Sequence, residues 1–174
     1  SLMIGRIRSQ GAIFIGKTNV PEFGMGSQSY NPVFGATGSA YDPALTAGGS
    51  SGGAACGLGT RMLPVADGSD LMGSLRNPGA FNNVIGYRPS QGRVPSGGSG
   101  DLFYQQMSTS GPLGRNTEDT IRLLRSVAGY EPSDPLSLRD ELPAFEGFEA
   151  RDLSGLKIGW MGSYEGYLNT EAGV

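Results

Sequence analysis

Apolar positions in this chain fall into short runs separated by glycine- and proline-rich stretches, with one longer segment of helical period. Ile121, Leu124 and Val127 share a face of a helix predicted from about Thr117 to Ala128. Thr117 or Asn116 caps its start, Glu118 and Asp119 suit its positive N-terminal end, and Gly129 ends it. Residues 3–10 read as the last turns of a helix closed by Gly11. Ala12–Ile15 has the length and apolarity of a buried strand. Met62–Ala66, Val84–Tyr87 and Leu156–Trp160 read as further strands. A small-residue helix is expected from about Gly53 to Arg61, close-packing because of its Ala and Gly content, and a short one from Ser74 to Phe81. Residues 21–49, punctuated by Pro21, Pro32, Gly35, Gly38 and Pro43, read as loop, and so do residues 88–114. Residues 131–153 form a polar connector with three prolines. Alternating strands and helices without an internal repeat predict an α/β fold.

Composition narrows the function. The chain has 174 residues, enough for one domain with a core, and a net charge of −3 with no basic stripe. Nucleic acid and anionic membranes are therefore not expected partners. No apolar run reaches the roughly 18 residues of a membrane helix, and no secretory leader is evident. One cysteine, Cys56, excludes an internal disulfide and a cysteine-built metal site, so a cytoplasmic setting is the default. Ser1-Leu2 ahead of Met3 reads as a cloning remnant, and Asn169-Thr170-Glu171-Ala172 as a helix start without continuation. Both predict an incomplete protein.

The 30 glycines gather around two serines, far above the ordinary glycine share of about 7%. Ser50 lies in Gly48-Gly49-Ser50-Ser51-Gly52-Gly53 and Ser74 in Gly68-Ser69-Asp70-Leu71-Met72-Gly73-Ser74-Leu75-Arg76. A hydroxyl between glycines is open to a substrate, and bare backbone there can offer N–H groups to an anion. Gly48-x-Ser50-x-Gly52 matches the nucleophile elbow of α/β-hydrolases, but that mechanism needs a histidine and the chain has none. Gly11–Thr18 satisfies the phosphate-loop spacing, yet its middle residues are apolar and Asn19-Val20-Pro21 follows instead of a helix. A strand ending in Lys17 is the expected reading. A serine nucleophile without imidazole needs another proton acceptor. A buried lysine of lowered pKa is the known substitute, and the chain offers Lys17 and Lys157.

Six stretches resemble the amidase signature family, whose members carry a Ser–cis-Ser–Lys triad. They are Gly11–Asn19, Asn31–Gly35, Gly48–Gly53, Gly68–Arg76, Gly86–Ser90 and Gly92–Pro95, in the expected order and with the expected serine spacing. The resemblance covers nearly the whole chain and implies one partial domain over 1–174, part of a mixed β-sheet core flanked by helices. It implies that Ser74 is the nucleophile and Ser50 the bridging serine, reached through a cis Gly49–Ser50 peptide. The backbone N–H groups of Leu71, Met72, Gly73 and Ser74 would form the oxyanion hole, with Asp70 and Arg76 bracing the loop. The implied reaction is hydrolysis of a small-molecule carboxylic amide through an acyl-enzyme, with no metal and no organic cofactor.

Two departures stand out. Met72 replaces a glycine usual in the family, where a side chain would narrow the pocket and a positive φ would be strained. The family's catalytic lysine lies in an upstream Val-Lys-Asp segment that this sequence does not contain; Lys17 matches a different, non-catalytic lysine. The chain by itself is accordingly expected to be inactive, and bared edges and apolar faces are expected to make it self-associate. Two rivals stay open: an amidotransferase A-type subunit using glutamine-derived ammonia with partner subunits, and a binding module that keeps the fold without chemistry. Met72 and Phe81-Asn82-Asn83 favour a stand-alone amidase. Cys56 and Trp160 read as packing residues, Arg88 and Arg93 as loop braces or entrance residues, and Met25 as a pocket-lining candidate.

Overall fold

Helix α4, Thr117–Val127, shows how far local chemistry sets this fold. Asn116 caps it through a side-chain oxygen that accepts the Asp119 N–H at 2.8 Å. Its buried face, Leu123, Leu124 and Val127, meets Ile7 of α1 (Leu2–Ser9) and Val94. Arg6 of α1 donates to the Val127 carbonyl, which the end of α4 leaves without a helical partner, and to the carbonyls of Gly129 and Tyr130 just beyond it. The computed structural model describes residues 1–97, 106–145 and 152–159.

The chain then runs through a two-stranded ribbon, β1 (Tyr30–Asn31) with β2 (Gly35–Ala36), inside the predicted loop region. Helix α2, Gly52–Gly59, falls where a small-residue helix is predicted. Its Ala54, Ala55 and Leu58 make a second core with Leu75 and Leu113. Strand β3, Val65–Asp70, leads to α3, Arg76–Phe81, then β4, Ile85–Gly86, and β5, Thr109–Gly114. The sheet order is β3-β5-β4, all antiparallel, with β3 paired to β5 from Val65↔Gly114 to Asp70↔Thr109. The architecture is mixed α/β, as predicted, and the site lies where β3 ends.

Several elements differ from the sequence reading. Ala12–Ile15 is not a strand: Ile13 and Ile15 are 87% and 74% exposed, and no described strand lies alongside to pair with them. No α-helix follows Thr18 directly, only a 3-10 turn at Glu22–Gly24, which agrees with the reading of Gly11–Thr18 as no phosphate loop. The predicted strand Met62–Ala66 starts later and runs on to Asp70, because β5 pairs with it over that whole length. Leu156–Gly159 forms no strand; Trp160 and residues 169–172 lie outside the described residues. Strand β5 sits in the segment read as loop. Its Gly111 is required there, since a Cβ would stand 2.4 Å from the Tyr87 carbonyl oxygen and 2.9 Å from the Leu75 side chain.

Candidate active site

Two backbone segments build the site. The first, Ala47–Ser51, is buried and leads into α2. Its Gly49–Ser50 peptide is cis, as the resemblance implies. The buried Ser29 hydroxyl holds it from the side, donating to the Ser50 carbonyl at 3.1 Å and accepting the Gly52 N–H at 2.9 Å. Asn19 extends this brace: its carbonyl accepts the Gly53 N–H at 3.2 Å, and its side-chain amide donates to Gly35 and Thr37. Neither Ser29 nor Asn19 was singled out by the sequence reading as a site residue. A serine in a run of small polar residues carries no spacing signal; only the fold shows what it touches.

The second segment is the Asp70–Arg76 turn. The Ser51 N–H donates to the Ser74 carbonyl at 3.3 Å, which joins the two serine-bearing segments directly. The Asp70 side chain is fully buried, and the turn wraps around it. Its carboxylate accepts N–H groups from Gly73 (2.7 Å), Leu75 (3.1 Å) and Arg76 (3.4 Å). It also pairs with the Arg76 guanidinium at 3.0 and 3.1 Å and with Arg88 at 2.8 Å. Burial alone would raise the Asp70 pKa; the bonds from Arg76, Arg88, Gly73 and Leu75 outweigh it and hold the carboxyl well below the usual carboxylate range. Asp70 is therefore an anion that folds the turn.

Gly73 adopts φ +118°, a conformation side chains rarely reach, and that lets the chain turn back over Asp70. Its N–H is already donated to Asp70. The N–H groups of Leu71, Met72 and Ser74 have no acceptor among the described residues. Met72 does not take a positive φ, so the backbone strain expected there is absent, and its side chain is 76% exposed. Ser74 is half-buried and Ser50 buried; no hydrogen bond joins their hydroxyls.

Lys17 and Lys157 are both exposed, and neither hydrogen-bonds to Ser50 or Ser74. Met25 is exposed. Arg88 reaches the Asp70 turn, whereas Arg93 pairs with Asp140 at 2.6 Å, away from it. Cys56 sits on α2, where burial pushes its thiol pKa up. Among the described residues, no group of three or more His, Cys, Asp or Glu could hold a metal ion.

Comparisons with known proteins show the family of the chain. A family model described as Amidase matches residues 1–172. The glutamyl-tRNA(Gln) amidotransferase A-type subunit of Alcanivorax borkumensis is 37% identical over 157 residues, covering 90% of this chain and 32% of that protein. A bacterial aryl acylamidase of the amidase signature enzymes superposes with a TM-score of 0.77 at 34% identity, over 82% of this chain and 29% of that one. The corresponding amidotransferase protein of Thermotoga maritima gives a TM-score of 0.72 at 28% identity, over 81% of this chain and 31% of that one. The chain thus spans about a third of the length of the curated relatives it matches. It belongs to the amidase signature family.

Proposed function

We propose that the chain supplies the serine nucleophile, Ser74, for hydrolysis of a small-molecule carboxylic amide, and that by itself it lacks the base this reaction needs. The observation that carries this reading is the Ser51 N–H bond to the Ser74 carbonyl, beside a turn whose Leu71, Met72 and Ser74 N–H groups find no acceptor among the described residues. The Ser74 hydroxyl oxygen attacks the amide carbon, and its proton passes to the Ser50 hydroxyl. The N–H groups of Leu71, Met72 and Ser74 hold the developing oxyanion, while Gly73, whose N–H Asp70 accepts, shapes the turn rather than serving as a donor as the resemblance implies. Ser50 passes a proton to the leaving nitrogen, the C–N bond breaks, and ammonia or an amine departs. Water then attacks the Ser74 ester and releases the acid. Asp70 and Arg76 hold the turn in shape. No metal or organic cofactor enters the scheme, and a cytoplasmic setting belongs to it; no described helix is long and apolar enough to cross a membrane.

The base is the weak link for this chain alone, since both described lysines are exposed and unconnected to the serines. Amide turnover is expected to stay near that of a Ser74→Ala control, as read by ammonia release. Oxyanion stabilisation can survive loss of the base: such holes, with binding, leave about 10³–10⁴-fold catalysis when triad members are removed. A fluorophosphonate probe followed by peptide mass mapping is therefore expected to modify Ser74 ahead of all other serines. Label spread evenly over exposed serines such as Ser27 and Ser90 overturns the reading and favours a non-catalytic module.

A second reading is an amidotransferase A-type subunit, favoured by the 37% identity to a protein of that kind. It predicts that glutamine, and not simple aliphatic or aromatic amides, slows the labelling of Ser74.

A further inference from the structure

We propose that Arg88 is a positioning residue that orients the anion-binding peptide groups of Leu71 and Met72; the inference rests on the amide-hydrolysis reading above. Arg88 follows β4, and its backbone is pinned to the sheet next to it: the Tyr87 N–H donates to the Pro112 carbonyl of β5 at 3.1 Å. From this fixed base its guanidinium reaches four acceptors. Nη1 donates to the Asp70 carbonyl, to Asp70 Oδ1 at 2.8 Å and to the Leu71 carbonyl at 3.2 Å, and Nη2 donates to the Met107 carbonyl.

Peptide geometry gives these contacts a direction. In a trans peptide the C=O and the following N–H point to opposite sides of the same plane. Holding the Asp70 carbonyl on Arg88 therefore turns the Leu71 N–H away from it. Holding the Leu71 carbonyl does the same to the Met72 N–H. Those are two of the N–H groups that find no acceptor among the described residues. Charge balance supports a separate role for Arg88. Asp70 already has the two-pronged Arg76 pair and three backbone N–H groups, so neutralising it does not need a second guanidinium. What Arg88 adds is the grip on two successive main-chain carbonyls, with a planar, rigid donor set that an ammonium lacks.

Phenylboronic acid, which forms a tetrahedral anion on a serine hydroxyl, tests this without requiring turnover. With the ¹⁵N-labelled chain, the Leu71 and Met72 amide signals are expected to shift on titration. Arg88→Met is expected to weaken binding by about tenfold or more and to remove those two shifts, because one misdirected oxyanion donor typically costs at least about 100-fold in rate. Arg88→Lys, which keeps the charge, is expected to bind more weakly than the unaltered chain and more tightly than Arg88→Met, with thermal unfolding close to that of the unaltered chain. If Arg88→Met does not fold, Arg88→Lys decides. Unchanged boronate affinity in a folded variant overturns the role of Arg88, while Ser74-selective fluorophosphonate labelling leaves the functional reading standing. No shift at Leu71 or Met72 in the unaltered chain overturns the inference as well, and loss of Ser74 selectivity overturns the reading beneath it.

Discussion

The Ser29 hydroxyl donates to the Ser50 carbonyl and accepts the Gly52 N–H, so one buried side chain spans the residue proposed to relay the proton. Ser29→Ala leaves both backbone groups without this partner. Each unsatisfied buried group costs about 1–3 kcal/mol, so chemical denaturation is expected to show a loss in that range or above. Hydrogen exchange separates this from general loosening: the Gly52 amide is expected to exchange faster while the Leu123 and Leu124 amides of α4 do not.

Asp70 sets an acid dependence. Its folded-state pKa lies below the unfolded value of about 3.9, so its contribution to stability is present above that value and is lost as pH falls through it towards the folded pKa. Thermal unfolding is expected to drop as pH falls below about 4. Asp70→Asn is expected to flatten that slope and to lower stability at pH 7 by about 3 kcal/mol or more, because Arg76 and Arg88 lose their charged partner. An equally steep acid slope in Asp70→Asn would place the titrating group elsewhere. Glu131 and Asp140 are shifted in the same direction, but Asp140 lies towards solvent, where ion pairs contribute little, and half-buried Glu131 meets Arg6 only at 3.8 Å.

Met72 occupies its place without the left-handed backbone that would favour glycine. Met72→Gly is thus expected to give no gain in stability and to cost up to about 1 kcal/mol through added freedom of the unfolded chain. A higher melting temperature for Met72→Gly would reveal strain that the backbone angles do not show.

The 12–15 segment, the Glu22–Gly24 turn and the ribbon loop expose large apolar side chains, among them Ile13, Phe23 (93%) and Phe34. Light scattering is expected to give a mass that rises with concentration. A constant monomer mass up to high concentration counts against association.

What the sequence revealed depended on how local the cause was. The boundaries of α4 follow from Asn116, its acidic first turn and a clear apolar stripe, all within a dozen residues. The two serines stood out because glycine crowds them, and the fold does join their segments. Strand β5 stayed hidden because Thr-Ser-Gly-Pro-Leu-Gly has the composition of a turn; its extended form comes from pairing with β3 on one side and β4 on the other. The opposite error arose at Ala12–Ile15, where apolarity suggested a strand that no described neighbour completes. Ser29 was beyond reach, since its contact with Ser50 spans 21 positions, and although Arg88 reads as a loop brace, the carbonyls it holds lie 17 to 19 positions away and carry no local signal.

The pairing of β3 with β5 bears on which length changes this region can absorb. An extra residue in the Thr60–Pro64 bend, between α2 and β3, would bulge outward and leave the ladder intact. The same insertion between Val65 and Ser69 would slip the register by one and swap the faces of every side chain beyond it. Asp70 would then swing from its buried seat to the opposite face, and the turn that carries Ser74 would lose the anion around which it closes.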